Sequence, residues 1–119
     1  MLPSDNRMRR RDEFTSAVRR GDRAGRPRLV LHLQYRDEAG EPARVGFTVG
    51  RPVGDAVIRN KVRRRLRHIV RERLYRLPAG SLLVVRANPK AANAPNDELA
   101  ADFDAALDRL LRREVKRRR

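Results

Sequence analysis

Residues 44–67 read RVGFTVGRPVGDAVIRNKVRRRLR, and two periodicities meet within them. Val45, Phe47 and Val49 alternate as the inner face of a strand, and Gly46 and Thr48 fall on the other face. That second face carries almost no bulk, so it can floor a groove. A Pro/Gly loop, Arg51 to Asp55, follows. Asp55 is placed to cap a helix, because its carboxylate can accept from the first free N–H groups. The period then becomes helical. Ile58, Val62, Leu66 and Ile69 form one stripe with Val70 at its edge, while Asn60, Arg63, Arg64, Arg67 and Arg71 gather opposite. The spacing predicts a helix over 56–76, ended by Leu77-Pro78-Ala79-Gly80. A strand followed by a basic helix is therefore the centre of the chain.

Working outward, residues 1–10 show no periodicity and read as an extended basic arm. Asp12 to Arg20 predicts a short helix stopped at Gly21. Residues 21–28 are turn-rich, with room for a short strand at 23–26. Leu29 to Tyr35 alternates as a strand, and 37–42 reads as a hairpin-like connection around Gly40. Ser81 to Arg86 predicts a buried strand, and 87–96 a Pro/Asn/Ala-rich loop. A last helix runs from Asn96 or Asp97 to about Arg113, acidic at its start and basic at its end, as the helix dipole favours. Residues 114–119 read as a frayed basic tail. The expected fold is a single α+β domain over 1–119, of order α-β-β-α-β-α with a possible extra strand.

Charge narrows the function. The 119 residues hold 30 Lys+Arg against 15 Asp+Glu, a formal net charge of +15. Such a surplus repels itself unless a polyanion shares it, and nucleic acid is the commonest one. An anionic membrane surface is the competing partner. No apolar run approaches the ~18 residues needed to span a bilayer, and no apolar stretch follows the charged N-terminus as in a secretory signal. The absence of Cys removes disulfides and thiolate metal sites, and His32 and His68 alone leave little for an imidazole site. A soluble cytoplasmic protein is expected. Five aromatics are too few for a binder built on stacking platforms, so charge must carry most of the affinity.

The basic helix holds six Lys/Arg in the nine residues 59–67. A solvated charged face is the ordinary explanation for such a run. Here Glu72 is the only acid between Arg59 and Arg76, so the charges are not paired along the helix. Guanidinium forks match phosphate oxygens and stay charged near neutral pH. Asn60 adds a donor and an acceptor that could meet a base edge, a ribose or a metal-bound water.

The 44–67 stretch closely resembles the signature of the bacterial ribonuclease P protein family. Arg7, Arg9, Arg10, Glu13 and Phe14, the run LVLH at 29–32 and LPAG at 77–80 also fit its pattern. Departures are Asp55 for the usual Asn, Lys61 for the second Arg of the family's Arg-Asn-Arg triplet, Arg63 for Lys, and Gly50 and Pro52 for Ser and Lys. The resemblance implies a four-stranded sheet with a left-handed β-α-β crossover, against the general right-handed rule. It implies an RNA subunit that removes the 5′ leader of precursor tRNA with Mg²⁺, and a protein subunit bound to it one to one. Arg51, Arg59, Asn60, Lys61, Arg63, Arg64, Arg67 and Arg71 would then face RNA. Arg7, Arg9, Arg10, Phe14, Val18, Val30, His32 and Thr48 would line the leader groove. Phe14 reads equally as a plain core residue, and His32 more simply as a neutral strand residue.

Protein-borne phosphodiester cleavage would need a positioned acid–base pair or a metal site. Two distant His offer neither. Asp104 and Asp108, at i,i+4, could hold a metal, but capping and solubility explain them more simply. No protein active site is expected. A structural RNA-binding protein such as a ribosomal one, a stand-alone nuclease and a membrane-surface protein are the competing readings. The last lacks the apolar insertion face of an interfacial helix.

Overall fold

A computed structural model describes residues 2–38 and 40–118, the Arg118 side chain aside. The elements are helix α1 (Arg11–Arg20), strands β1 (Asp22–Gly25), β2 (Leu29–Gln34) and β3 (Arg44–Thr48), helix α2 (Ala56–Arg71), strand β4 (Leu82–Ala87) and helix α3 (Asn96–Arg118). They form a mixed α+β domain on one four-stranded sheet of order β1-β2-β4-β3. Pairing is antiparallel except between β3 and β4, which run parallel and are joined through α2. The possible strand at 23–26 is real and forms one edge.

The alternation in β2 and β4 divides the sheet into two faces. Leu31 pairs with Val85 and Leu33 with Leu83, and these join Val62, Leu66, Phe103 and Leu107 in the main core under α2 and α3. On the other face Leu82 and Val84 pack against Phe14 and Ala17 of α1 and against Met8 of the segment before it. Burying each such side chain contributes roughly 1.5–3 kcal/mol, so both faces of β2 and β4 hold the sheet between helical layers.

Three boundaries differ from the sequence reading. Helix α2 stops at Arg71, not Arg76, and Leu74–Arg76 form a 3₁₀ turn. The Arg73 guanidinium donates back to the Ile69 carbonyl at 3.0 Å and forward to Asp104 on α3 at 2.6 Å. Tertiary ion pairs thus bend a segment whose local composition favours helix. Helix α3 continues to Arg118, replacing the frayed tail over 114–118; residue 119 lies outside the described residues. Residues 2–10, read from sequence as an extended basic arm, pack against the fold. Leu2 is 3% exposed, and the Met8 amide donates to the Val45 carbonyl at 2.9 Å. The Asn6 side chain donates to the Ala43 carbonyl at 2.8 Å. The segment covers the outer edge of β3, whose backbone groups would otherwise be open to another strand.

Candidate nucleic-acid interface

Asp55 caps α2 as its position implied, accepting from the Ile58 amide at 3.0 Å. Before it, Gly54 has φ 156°, and a β-carbon there would stand 2.8 Å from Ile58. Only glycine fits that approach. Ile58 itself is 37% exposed and lies outside the packing stripe to which its spacing assigned it. Val62, Leu66, Ile69 and Val70 do form the buried stripe.

The cations of α2 fall into two groups. Arg65 is structural: its guanidinium donates to Asn96 Oδ1 at 2.5 Å and to the carbonyls of Ala91 and Ala94, tying α2 to the segment before α3. Just beyond the helix, Arg73 and Arg76 likewise pair with Asp104 and Asp108. Those two aspartates are therefore ion-pair partners, and Arg73 is held above its ordinary pKa chiefly by its hydrogen bond to Asp104. The second group faces outward. Asn60, Lys61, Arg64 and Arg71 are exposed, and Arg59, Arg63 and Arg67 are half-buried. Among the described residues none of these six cations pairs with a carboxylate. Arg63 donates to Asn60 Oδ1 at 2.9 Å, which aims both side chains along the same face. Arg59 Nε is buried with no hydrogen-bond partner. An unmatched donor in a guanidinium costs free energy that an incoming acceptor would recover. Arg51 stands exposed in the short 3₁₀ turn Arg51–Val53, just ahead of α2.

The groove residues divide among neighbouring clefts. Val18, His32 and Thr48 line one of about 310 Å³ between α1 and the sheet, together with Arg86. Arg7 and Phe14 line a second of about 300 Å³, shared with Arg63 and Arg67 of α2. Arg9 and Arg10 border a third, with Arg7 and Glu13. Val30 lies beneath the floor at 5% exposure and lines none of these three. Phe14 is half-buried against Met8, Ala17 and Leu82, and it also walls the second cleft.

Two features escaped the sequence reading. Arg86 and Arg23 flank His32, and both lower its pKa, though burial lowers it more. His32 is 6% exposed with Nδ1 unpartnered, so it sits in the floor as a neutral ring. The run LLVVRA at 82–87 reads as uniformly buried, and only the register shows that Arg86 turns to the groove side. The second is Glu13, 7% exposed, which accepts from Arg44 Nη1 at 2.7 Å. This pair fixes the start of α1 against the start of β3 and holds Arg44 above its ordinary pKa.

A mixed sheet carrying an unpaired guanidinium row beside narrow, partly apolar clefts defines a class: a nucleic-acid-binding domain. The family is more specific. The ribonuclease P family model matches residues 2–111, and the chain belongs to that family. The ribonuclease P protein component of Streptomyces avermitilis is 56% identical over 118 residues, 93% of this chain and 96% of the relative. That of Nocardioides sp. (strain ATCC BAA-499 / JS614) is 53% identical over 111 residues, 92% and 95% of the two chains. In fold, the RNase P protein of Staphylococcus aureus matches with TM-score 0.77 at 20% identity, over 87% of this chain and 93% of that one. The RNase P protein from Thermotoga maritima matches with TM-score 0.74 at 24% identity, over 87% and 96%. Membership makes the chain the RNA-binding subunit of a tRNA-processing endoribonuclease, associated with the ribonuclease P RNA and precursor tRNA. Catalysis in that family is carried by the RNA. No helix among the described residues is long and apolar enough to cross a membrane.

Proposed function

We propose that Arg51, Arg59, Asn60, Lys61, Arg63, Arg64, Arg67 and Arg71 bind the catalytic RNA, and that the adjoining clefts hold the 5′ leader of precursor tRNA. Arg7, Arg9, Arg10, Phe14, Val18, His32 and Thr48 line the leader path, with Val30 supporting its floor. One observation carries the reading: Arg63 and Arg67 belong to the α2 row and also wall the cleft that contains Arg7 and Phe14. A single patch of guanidinium can therefore hold two RNA strands side by side.

The chemistry is electrostatic and positional. Each phosphate neutralised releases condensed counterions. Holding leader and catalytic RNA together lowers the entropy cost of bringing the scissile bond to the RNA's reactive site. Mg²⁺ belongs to the RNA in this scheme. The chain's own donor set does not suit it, since Asp104 and Asp108 are committed to arginines and Asn60 Oδ1 to Arg63. Among the described residues there is no group of three or more His, Asp or Glu placed to hold a metal. No step passes through a protein-bound metal. The complex is one protein to one RNA, and it works in the cytoplasm.

The test is cleavage of a precursor tRNA at low Mg²⁺ by the catalytic RNA, by the protein, and by both. Cutting at the mature 5′ end only with both supports the reading. No stimulation at protein concentrations that bind RNA refutes it.

A further inference from the structure

Arg86 is the one exposed residue of β4; Leu82 to Val85 and Ala87 are buried. The strand lies inside the sheet, between β2 and β3, so this cation does not stand at an edge. Register puts it in one row with Val30 on β2 and Thr48 on β3. The row before it, His32, Val84 and Gly46, lies under α1: Val84 packs with Ala17 and Phe14, and the Phe14 ring stands over Gly46. Helix α1 thus covers the earlier rows. It leaves the last one as floor of the cleft of about 310 Å³ that Val18, His32, Thr48 and Arg86 line.

Nothing in this cleft answers the charge. Among the described residues no Asp or Glu lines it, and Arg86 is its only Lys or Arg. No carboxylate elsewhere among them pairs with Arg86 either. Arg44 makes the contrast. It stands two rows away on the same sheet face, and there the fold supplies Glu13 at 2.7 Å and Glu41 at 3.7 Å. An ordinary solvated arginine stands on a convex surface or an open edge, whereas Arg86 rises from the floor of a concavity. Arg23 of β1, whose carbonyl accepts from Arg113 Nη1 at 3.1 Å, pairs in register with His32 on this face. Both arginines act on the His32 ring, which is 6% exposed with Nδ1 unpartnered. Positive charges gathered about a buried polar ring, with no acid among them, favour an anion in the cleft.

We propose that Arg86 is a leader-binding residue whose guanidinium takes a phosphate of the 5′ leader in the cleft floored by His32 and Thr48. The inference deepens the reading of the clefts as a leader path, and rests on it. The guanidinium fork suits phosphate oxygens. Shape and place select the occupant. The cleft is at the small end of ligand pockets, walled by Val18 of α1 and by the Arg51–Val53 turn, and it admits one extended strand. No residue of α2 lines it, so it stands apart from the row assigned to the catalytic RNA. It continues the Phe14 cleft along β3, from Gly46 to Thr48. A phosphate contact fixes where a strand lies without reading its bases, so Arg86 sets the course of the leader and not its sequence.

The experiment uses holoenzyme assembled from the catalytic RNA and wild-type protein, Arg86→Gln or Arg86→Lys. Affinity is measured over a salt series for precursor tRNA with a leader long enough to enter the cleft, and with a leader of a single nucleotide. For Arg86→Gln the expected result is roughly tenfold weaker binding of the long-leader substrate, with a salt slope smaller by about 0.7. The short-leader substrate and the catalytic RNA should bind as they do to wild type. Arg86→Lys should keep the slope, because the slope counts charge. Unchanged affinity and slope in Arg86→Gln overturn the proposal, and so does an equal loss on both substrates, which would put Arg86 on the tRNA body. The leader-path reading fails separately: a wild-type holoenzyme that binds long and short leaders equally overturns that reading and this inference together. Should Arg86→Gln lower the thermal midpoint, Arg86→Met, which keeps an apolar stem and removes the charge, is read the same way.

Discussion

The ring of Phe14 occupies the space a side chain at position 46 would need: a β-carbon on Gly46 would stand 2.2 Å from Phe14 Cζ. The bare face of β3 therefore receives the Phe14 ring of α1, and the cleft lined by Phe14, Gly46 and Arg67 is built on that contact.

Gly46→Ala is expected to cost about 1–3 kcal/mol by overpacking, read as a lowered thermal midpoint. In a Phe14→Ala background the same change is expected to cost almost nothing, because the clash is gone. A double-mutant cycle without coupling would separate the two residues.

Arg67→Ala is expected to leave stability unchanged or slightly raised, since Arg63 and Arg67 repel at i,i+4. Its effect falls on RNA. The salt dependence of catalytic-RNA binding should lose about one phosphate's worth of slope. An unaltered slope would remove Arg67 from the contact face.

Arg65→Ala is expected to do the opposite. Its loss strands Asn96 and the Ala91 and Ala94 carbonyls, at a cost of about 1–3 kcal/mol. The salt slope of RNA binding should not move. Denaturant unfolding and a salt titration on one preparation distinguish the two arginines.

That contrast marks how far the sequence reaches. Arg64 and Arg65 are neighbours of one residue type, and helical phase alone placed Arg64 outward and left Arg65 beside the packing stripe. What Arg65 binds lies some thirty residues away, beyond the range of any local pattern. The same holds for the end of α2, where Arg73 and Arg76 meet aspartates of α3. The two strands flanking the basic helix, the Asp55 cap and the cation row were legible because period and capping are local. The N-terminal segment was not. Leu2 and Met8 have no periodicity around them, and they become core only because β3 offers an open edge. Arg86 was hidden in the same way, since a strand buried on both faces shows no alternation.

His32 gives a pH test. Its pKa is lowered from about 6.5, first by burial and then by Arg23 and Arg86. The unfolded chain therefore takes up a proton that the folded chain resists. The stability contributed by the neutral ring is full above the unfolded value near 6.5 and is lost as pH falls from there towards the folded pKa. His32→Phe removes that dependence. Thermal midpoints at pH 7 and pH 5 should fall further for the wild type than for the variant, and an equal fall would show that the ring is not resisting protonation.

Asp22 gives the opposite case at the other edge of the sheet. Its carboxyl is held low by Arg117, so the unfolded chain gains a proton at a higher pH than the folded one. The contribution of the pair is complete above the ordinary carboxyl value near 3.8 and disappears as pH falls through the lower folded pKa. The pair is solvent-exposed at Arg117, and salt screens it, so the effect is local rather than global. Protection of the amides of residues 113–117, relative to their intrinsic exchange rate at each pH, should fall below about pH 4, while the core amides of β2 and β4 remain protected. Asp22→Asn should bring the same loss of protection at neutral pH. Protection of those amides in the variant would mean that the helix end is held by the Arg113 contact to the Arg23 carbonyl alone.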